Sequence, residues 1–138
     1  MTISTRGRYA IRVMVELAKN TDGGYVALKT IADQQGLSLK YIPAIMPVLS
    51  KHKLIDGTRG KGGGYRLSKH ASEYKIGDIL RLTEGNLAPV SCLECDAPVC
   101  SRADICPTLP MWRKFHKMIN EFFDGVTLED LMKKENFQ

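Results

Sequence analysis

Four of the five residues at positions 60–64 (GKGGG) are glycine, more backbone freedom than the interior of a helix or strand tolerates. The segment is therefore a turn, and its flanks decide which kind. Residues 54–59 (LIDGTR) and 65–68 (YRLS) are short runs with strand-forming residues and no helical repeat, so they are expected to pair as a hairpin around the glycine tip. A phosphate-cradling nucleotide loop is the competing reading of GKGGGY, but the hydroxyl residue after the lysine and the following helix that such a loop needs are both missing.

Almost everything else patterned in the chain has helical spacing. From 5 to 19, Tyr9, Ala10, Val13, Met14, Leu17 and Ala18 recur on one stripe, with Arg6, Arg8, Arg12 and Glu16 off it. A shorter pattern, Leu28, Ile31, Ala32 and Gln35, stops at Gly36, which can take the left-handed conformation that ends a helix. Ser38 then offers a side-chain cap, and a third helix is expected to start there with the stripe Ile42, Ile45, Met46 and Leu49. Two helices joined by a three-residue turn and followed by a hairpin give a helix-turn-helix with a wing, in a fold that is mainly α. Pro43 and Pro47 lie on the outward face of the third helix and each removes an amide, so this helix is expected to kink or to begin late. Further on, the patterns predict a helix over about 76–82 ending near Gly85, an irregular loop over 90–108, a long amphipathic helix from about Pro110, and a last short helix over 128–134. The long helix carries Met111, Trp112, Phe115, Met118, Ile119, Phe122 and Phe123 on one broad face, and Thr127 with Asp130 forms a capping arrangement for the last helix.

Charge sharpens the reading. The net charge is +5, but residues 1–70 carry twelve Lys/Arg against four Asp/Glu, while residues 71–138 carry eight against eleven. A split of this kind fits nucleic acid or a membrane surface on the front half, or simply a solvated lysine face. Between Ser38 and Lys69 there are seven basic residues and one acid, Asp56, so the charge concentrates on the third helix and the hairpin and favours nucleic acid. On that helix Ser38, Lys40, Tyr41, Ala44 and Lys51 are the candidate contacts to bases or phosphates of the major groove. On the wing, Arg59 is placed to enter a narrow minor groove, with Lys61 beside it for phosphate. No apolar run reaches the length of a membrane span and the first residues lack a secretory pattern, so a cytoplasmic location with no membrane partner is expected.

In that reducing compartment Cys92, Cys95, Cys100 and Cys106, spaced C-x2-C-x4-C-x5-C, read as metal ligands or reactive thiols rather than disulfides. Spacing alone leaves open an iron-sulfur cluster, a tetrahedral zinc and a thiol switch. His52, His70 and His116 stand singly and are assigned no role. No nucleophile and base pair or paired carboxylates are recognisable, so no enzymatic activity and no small-molecule substrate is expected.

STRGRYAIRVM at 4–14, RGKGGGYRL at 59–67, LTEG at 82–85, and the stretch from LAPVSCLE to CPTLPMW between 87 and 112 resemble the IscR, NsrR and CymR group of small bacterial winged-helix regulators, nearly end to end. The resemblance implies a winged helix-turn-helix domain over residues 1–82, and a cysteine cluster loop with a dimerisation helix over 83–138. It further implies a homodimer on double-stranded DNA, whose two-fold symmetry calls for a palindromic operator. In the cluster-bearing branch three cysteines hold the iron, and the matching positions are Cys92, Cys100 and Cys106. The non-cysteine ligands of that branch have no counterpart, because the histidine position is Leu109 and the carboxylate position on the first helix is Arg8. Cys95 is then the candidate fourth ligand of a 2Fe-2S or 4Fe-4S cluster, with a residue from the partner chain as the alternative. Pro43 stands where many members carry Glu, which implies a different target sequence. The expected function is a repressor or dual regulator whose operator affinity follows iron-sulfur status, redox or nitric oxide. A cluster-free regulator governed by a bound protein partner, and a zinc or thiol-switch regulator, are the rivals.

Overall fold

Ser4 opens the first helix in extended backbone, its hydroxyl accepting the Gly7 amide at 3.1 Å, and α1 runs Thr5–Lys19. The structure, a computed structural model, describes residues 2–133 and Phe137. α1 buries Gly7, Ala10, Val13, Met14, Leu17 and Ala18, and α2, α3, α4 and α6 all pack on it. α2 (Leu28–Gln35) stops at Gly36, which is left-handed with φ 62°, and its end is fastened to α1 by Arg12, whose guanidinium donates to both the carbonyl and the side-chain oxygen of Gln35. Gln35 in turn donates to Glu16 at 2.6 Å.

The third helix, α3, runs Ile42–Lys51 and so starts three residues later than the Ser38 cap implies. Pro43 is the physical reason. In a helix begun at Ser38 its ring would press on the carbonyl of Leu39 and its missing amide would leave that carbonyl unbonded, whereas in the first turn the amide is not needed. Residues 39–41 form a turn instead: Ser38 Oγ accepts the Lys40 amide at 3.2 Å and the Ser38 carbonyl accepts that of Tyr41 at 3.2 Å. Pro47 remains inside the helix, and both prolines are solvent-exposed, so water can serve the carbonyls they leave free.

β1 (Ile55–Thr58) and β2 (Gly64–Leu67) pair antiparallel with Ile55 opposite Leu67 and Thr58 opposite Gly64. A third piece was not evident from sequence: Val26 exchanges two backbone hydrogen bonds with Tyr65, at 2.8 and 2.9 Å, which joins the entry of α2 to the wing. Only glycine permits this at position 64, since a Cβ there would lie 2.2 Å from the Val26 carbonyl oxygen. Beneath the wing the Tyr74 hydroxyl donates to the Leu54 carbonyl at 2.6 Å and accepts the amides of Ser68 and Lys69 at 3.0 Å each. Burial pushes this hydroxyl's pKa up, which keeps it a neutral donor. A short 3-10 turn, Ala71–Glu73, precedes it, and His70 caps that turn by accepting the Ser72 amide.

α4 (Ile76–Glu84) ends on Gly85, followed by the cysteine loop and then α5 (Leu109–Asp124), the long helix expected from about Pro110. Arg81 on α4 grips Asp124 with both terminal nitrogens, at 2.8 and 3.0 Å, and reaches Asn120 at 2.7 Å. The Arg81 guanidinium holds the Asp124 carboxyl below the usual carboxylate range. Gly77 makes room for this pair, because a Cβ on it would sit 2.2 Å from an Asp124 oxygen. α6 (Leu128–Met132) has the reciprocal Thr127 and Asp130 cap that its sequence implies and returns fully buried Leu128 to the core under α1; Lys134, within the segment expected to be helical, lies outside the described residues. No described helix is long and apolar enough to cross a membrane.

Replacing Tyr74 by Phe removes the hydroxyl that serves three backbone groups between strand and core. The expected cost is about 1–3 kcal/mol, read as a lower urea midpoint with an unchanged slope, and with hydrogen-exchange protection lost first at Ser68 and Lys69.

Candidate nucleic-acid interface and cysteine loop

The first turn of α1 and the last turn of α4 are tied to each other. Glu84 accepts both the Ser4 amide, at 3.0 Å, and the Ser4 hydroxyl, at 2.6 Å, while Arg6 donates to the Thr83 carbonyl at 2.7 Å. A side chain at Gly7 would place its Cβ 2.2 Å from the same Glu84 oxygen. These contacts give the STRG and LTEG motifs a common purpose, since each supplies what the other's helix end lacks.

The residues read from sequence as DNA contacts, Ser38, Lys40, Tyr41, Ala44, Lys51, Arg59 and Lys61, are all exposed. Tyr41 is half-exposed, with the Tyr9 ring edge-on at 6.3 Å and the Lys40 ammonium 6.0 Å above its ring. Tyr41 and Ala44 line an open groove of about 430 Å³ together with Ile45 of α3 and Thr5, Arg6 and Tyr9 of α1. The three α1 residues were missed in the sequence because Tyr9 falls on the apolar stripe and Thr5 and Arg6 read as ordinary first-turn residues. Arg59 lines a second groove of about 440 Å³, between Ser50 of α3 and the strand residues Asp56, Thr58 and Tyr65. The single acid of this basic stretch, Asp56, is occupied by Ser68 at 3.1 Å and Arg66 at 3.9 Å. The wing tip turns through Gly60 and Gly62, at φ 93° and 78°, so Lys61 projects from a segment with almost no side-chain bulk.

The cysteine loop is a chain of single turns beginning with the 3-10 turn Ser91–Leu93. All four thiols are free; Cys92, Cys95 and Cys100 are exposed and Cys106 is half-buried. Cys92 and Cys100 line one open hollow of about 740 Å³ with Glu94 and Asp96, while Cys95 and Cys106 lie outside its lining. Among the described residues no three Cys, His, Asp or Glu side chains are gathered as a metal site. The donors nonetheless suit a soft metal: four thiols within 15 residues of one loop, beside Val99 and Ile105, which are 91% and 68% exposed and give the loop an uncovered apolar surface. Leu109 is buried and Arg8 is bonded to Thr5, so neither position presents a ligand.

Cys106 sits just before α5, its sulfur 3.4 Å from the Thr108 hydroxyl. The Thr108 hydroxyl first, and then the amides of Thr108 and Leu109, favour the thiolate and lower the pKa of Cys106. On α5 the broad apolar face divides. Ile119 is buried and Trp112 and Phe123 half-buried, whereas Met111, Phe115, Met118 and Phe122 stay 43–58% exposed at a spacing of four, three and four residues.

A helix-turn-helix with a glycine-tipped wing and a basic face defines a winged-helix DNA-binding regulator. The chain belongs to the Rrf2 family, described as iron-dependent transcriptional regulators, whose model matches residues 3–134. It is 31% identical over 98% of its length, and 81% of the relative's, to the HTH-type transcriptional regulator IscR of Pectobacterium atrosepticum. It is 35% identical to Protein rrf2 of Nitratidesulfovibrio vulgaris over 96% of this chain and 88% of that one. Among solved structures it resembles CymR, the global cysteine regulator of B. subtilis, with TM-score 0.77 and 36% identity over 95% of both chains. It also resembles T. potens IscR, with TM-score 0.73 and 35% identity over 98% of this chain and 88% of that one. The chain is therefore a transcriptional regulator, not an enzyme, of a family that binds DNA.

In the metal-free protein, alkylation of Cys106 followed by mass spectrometry is expected to titrate with a midpoint below that of an unperturbed thiol. Thr108→Val removes the hydroxyl and is expected to move that midpoint up.

Proposed function

We propose that this protein is a homodimeric, cytoplasmic repressor whose operator affinity is set by an iron-sulfur cluster on the cysteine loop. The observation that carries the reading is the set of four unpaired thiols on one short, solvent-facing loop, in a family described as iron-dependent. Cys92, Cys100 and Cys106 serve as ligands and Cys95 as the fourth, which replaces the histidine or carboxylate that Leu109 and Arg8 cannot supply. Such a cluster, 2Fe-2S or 4Fe-4S, supplies a link between four points of the loop that oxidation or nitric oxide can break. The loop leaves from Gly85, next to the Glu84 and Ser4 tie, and runs directly into α5, so its shape bears on both the reading head and the long helix.

Residues 1–82 then form the reading head and 83–138 the sensing and dimerising part. Met111, Phe115, Met118 and Phe122 form the seam with a second copy, since their repeat matches that of helices packed side by side. In the dimer Ser38, Lys40, Tyr41, Ala44 and Lys51 face a major groove, and Arg59 with Lys61 faces the adjoining minor groove, on a palindromic duplex. Free thiols with a lowered pKa at Cys106 support a second reading, a thiol-switch regulator without metal; one of the similar solved structures is a Staphylococcus aureus CymR in an oxidised form.

Protein purified without oxygen is expected to be brown, with iron and sulfide in stoichiometric amounts, and Cys95→Ser is expected to lower both. Stripping the cluster is expected to change operator affinity. Colourless protein, or equal affinity loaded and stripped, overturns the cluster reading in favour of a zinc site, a thiol switch or a protein-partnered regulator. On the DNA side, Arg59→Ala should weaken specific binding by about 1–3 kcal/mol. Lys61→Ala should lower the slope of log affinity against log salt by about one and leave sequence preference intact.

A further inference from the structure

We infer that the groove between the first turn of α1 and the start of α3 is a second DNA-backbone site, in which Arg6 takes a phosphate beside the hydroxyls of Thr5, Tyr9 and Tyr41. The inference rests on the DNA-binding part of the proposed function and adds to it an element that the recognition helix and wing do not include.

Three observations lead to a phosphodiester chain as the occupant. The groove is continuous with the recognition face, because Tyr41 and Ala44 belong to both. Its lining contains one arginine, three hydroxyl groups and no acid, and α1 has no acidic residue in its first turn, while Arg12 and Lys40 stack on the two tyrosines at 5.7 and 6.0 Å. Donors, rings and positive charge without a counter-charge suit the sugar-phosphate chain, which offers oxygens and apolar sugar edges and carries one negative charge per nucleotide.

The wall is also held in place. Glu84 takes the amide and hydroxyl of Ser4, and Arg6 spends one nitrogen on the Thr83 carbonyl at 2.7 Å, which orients its guanidinium and leaves its other donors for a phosphate. Glu84 is not part of the groove lining, so its charge is used on the Ser4 side. A guanidinium fixed through one edge meets a phosphate at a smaller entropic cost than a free one.

The test uses the metal-free full chain and a 30-base-pair mixed-sequence duplex, because non-specific binding is governed by phosphate contacts and needs no knowledge of the operator. Affinity is measured across salt concentration for the unmodified protein and for Arg6→Gln, Arg6→Lys and Lys117→Gln, with circular dichroism melts on each. Lys117 is an exposed α5 residue outside the groove and controls for net charge. Arg6→Gln is expected to lower the salt slope by about one, Arg6→Lys to restore it, and Lys117→Gln to leave it unchanged. A slope unaltered by Arg6→Gln overturns the inference, as does an equal loss in Lys117→Gln. Failure of Arg6→Lys to restore the slope also overturns it, since Arg6 would then act only through the Thr83 carbonyl. Absence of salt-dependent binding in the unmodified protein defeats the DNA reading as a whole, whereas a normal slope insensitive to Arg6 defeats this inference alone.

Discussion

The burial of one face of α1 is the constraint on which the rest of this structure depends. Ala10, Val13 and Met14 are fully enclosed, and the helices of the reading head and the returning α6 all draw their apolar cover from that face. Because the stripe is shared, no neighbouring helix can rotate without uncovering α1, and burial worth about 25 cal/mol per Å² of apolar surface opposes such rotation. Polar ties then fix what apolar contact leaves free to slide. Glu84 holds the start of α1, Arg12 and Gln35 the end of α2, and Arg81 the end of α5. Each tie lies at a helix end, where unpaired backbone groups make a charged partner worth having.

Much of this was legible in the chain because local rules carried it. The repeat of α1, the glycine stop after α2, the glycine tip of the wing and the Thr127 and Asp130 cap each depend on residues within a few positions of one another. The start of α3 was misplaced because two local signals compete, the Ser38 cap and the Pro43 ring, and the proline prevails by excluding a helix interior outright. Val26 on β2, Tyr74 under the wing and Glu84 on Ser4 were not legible at all. Their partners lie up to 80 residues away, and valine, tyrosine and glutamate occur too widely to point to one.

The cysteine loop and the α1 groove show the same division. Four thiols within 15 residues of one loop can be read from the sequence, but not which of them share a surface: Cys92 and Cys100 line one hollow, and Cys95 and Cys106 lie outside it. The broad face of α5 could be read as apolar, but which half would face inward could not, because that depends on where Arg81 meets Asp124. The groove beside Tyr41 escaped notice because its two walls come from helices more than twenty residues apart in the chain.

The two backbone bonds between Val26 and Tyr65 bear on how such a molecule can be adjusted. They clamp the hairpin to the segment that enters the helix-turn-helix, while Tyr74 clamps its other end to the strand root. Hairpin and recognition helix thus form one stiff jaw with few internal degrees of freedom. A jaw of this build has little scope to bend, so it meets a duplex as a caliper tip meets a rod, by being set against it and not by flexing round it.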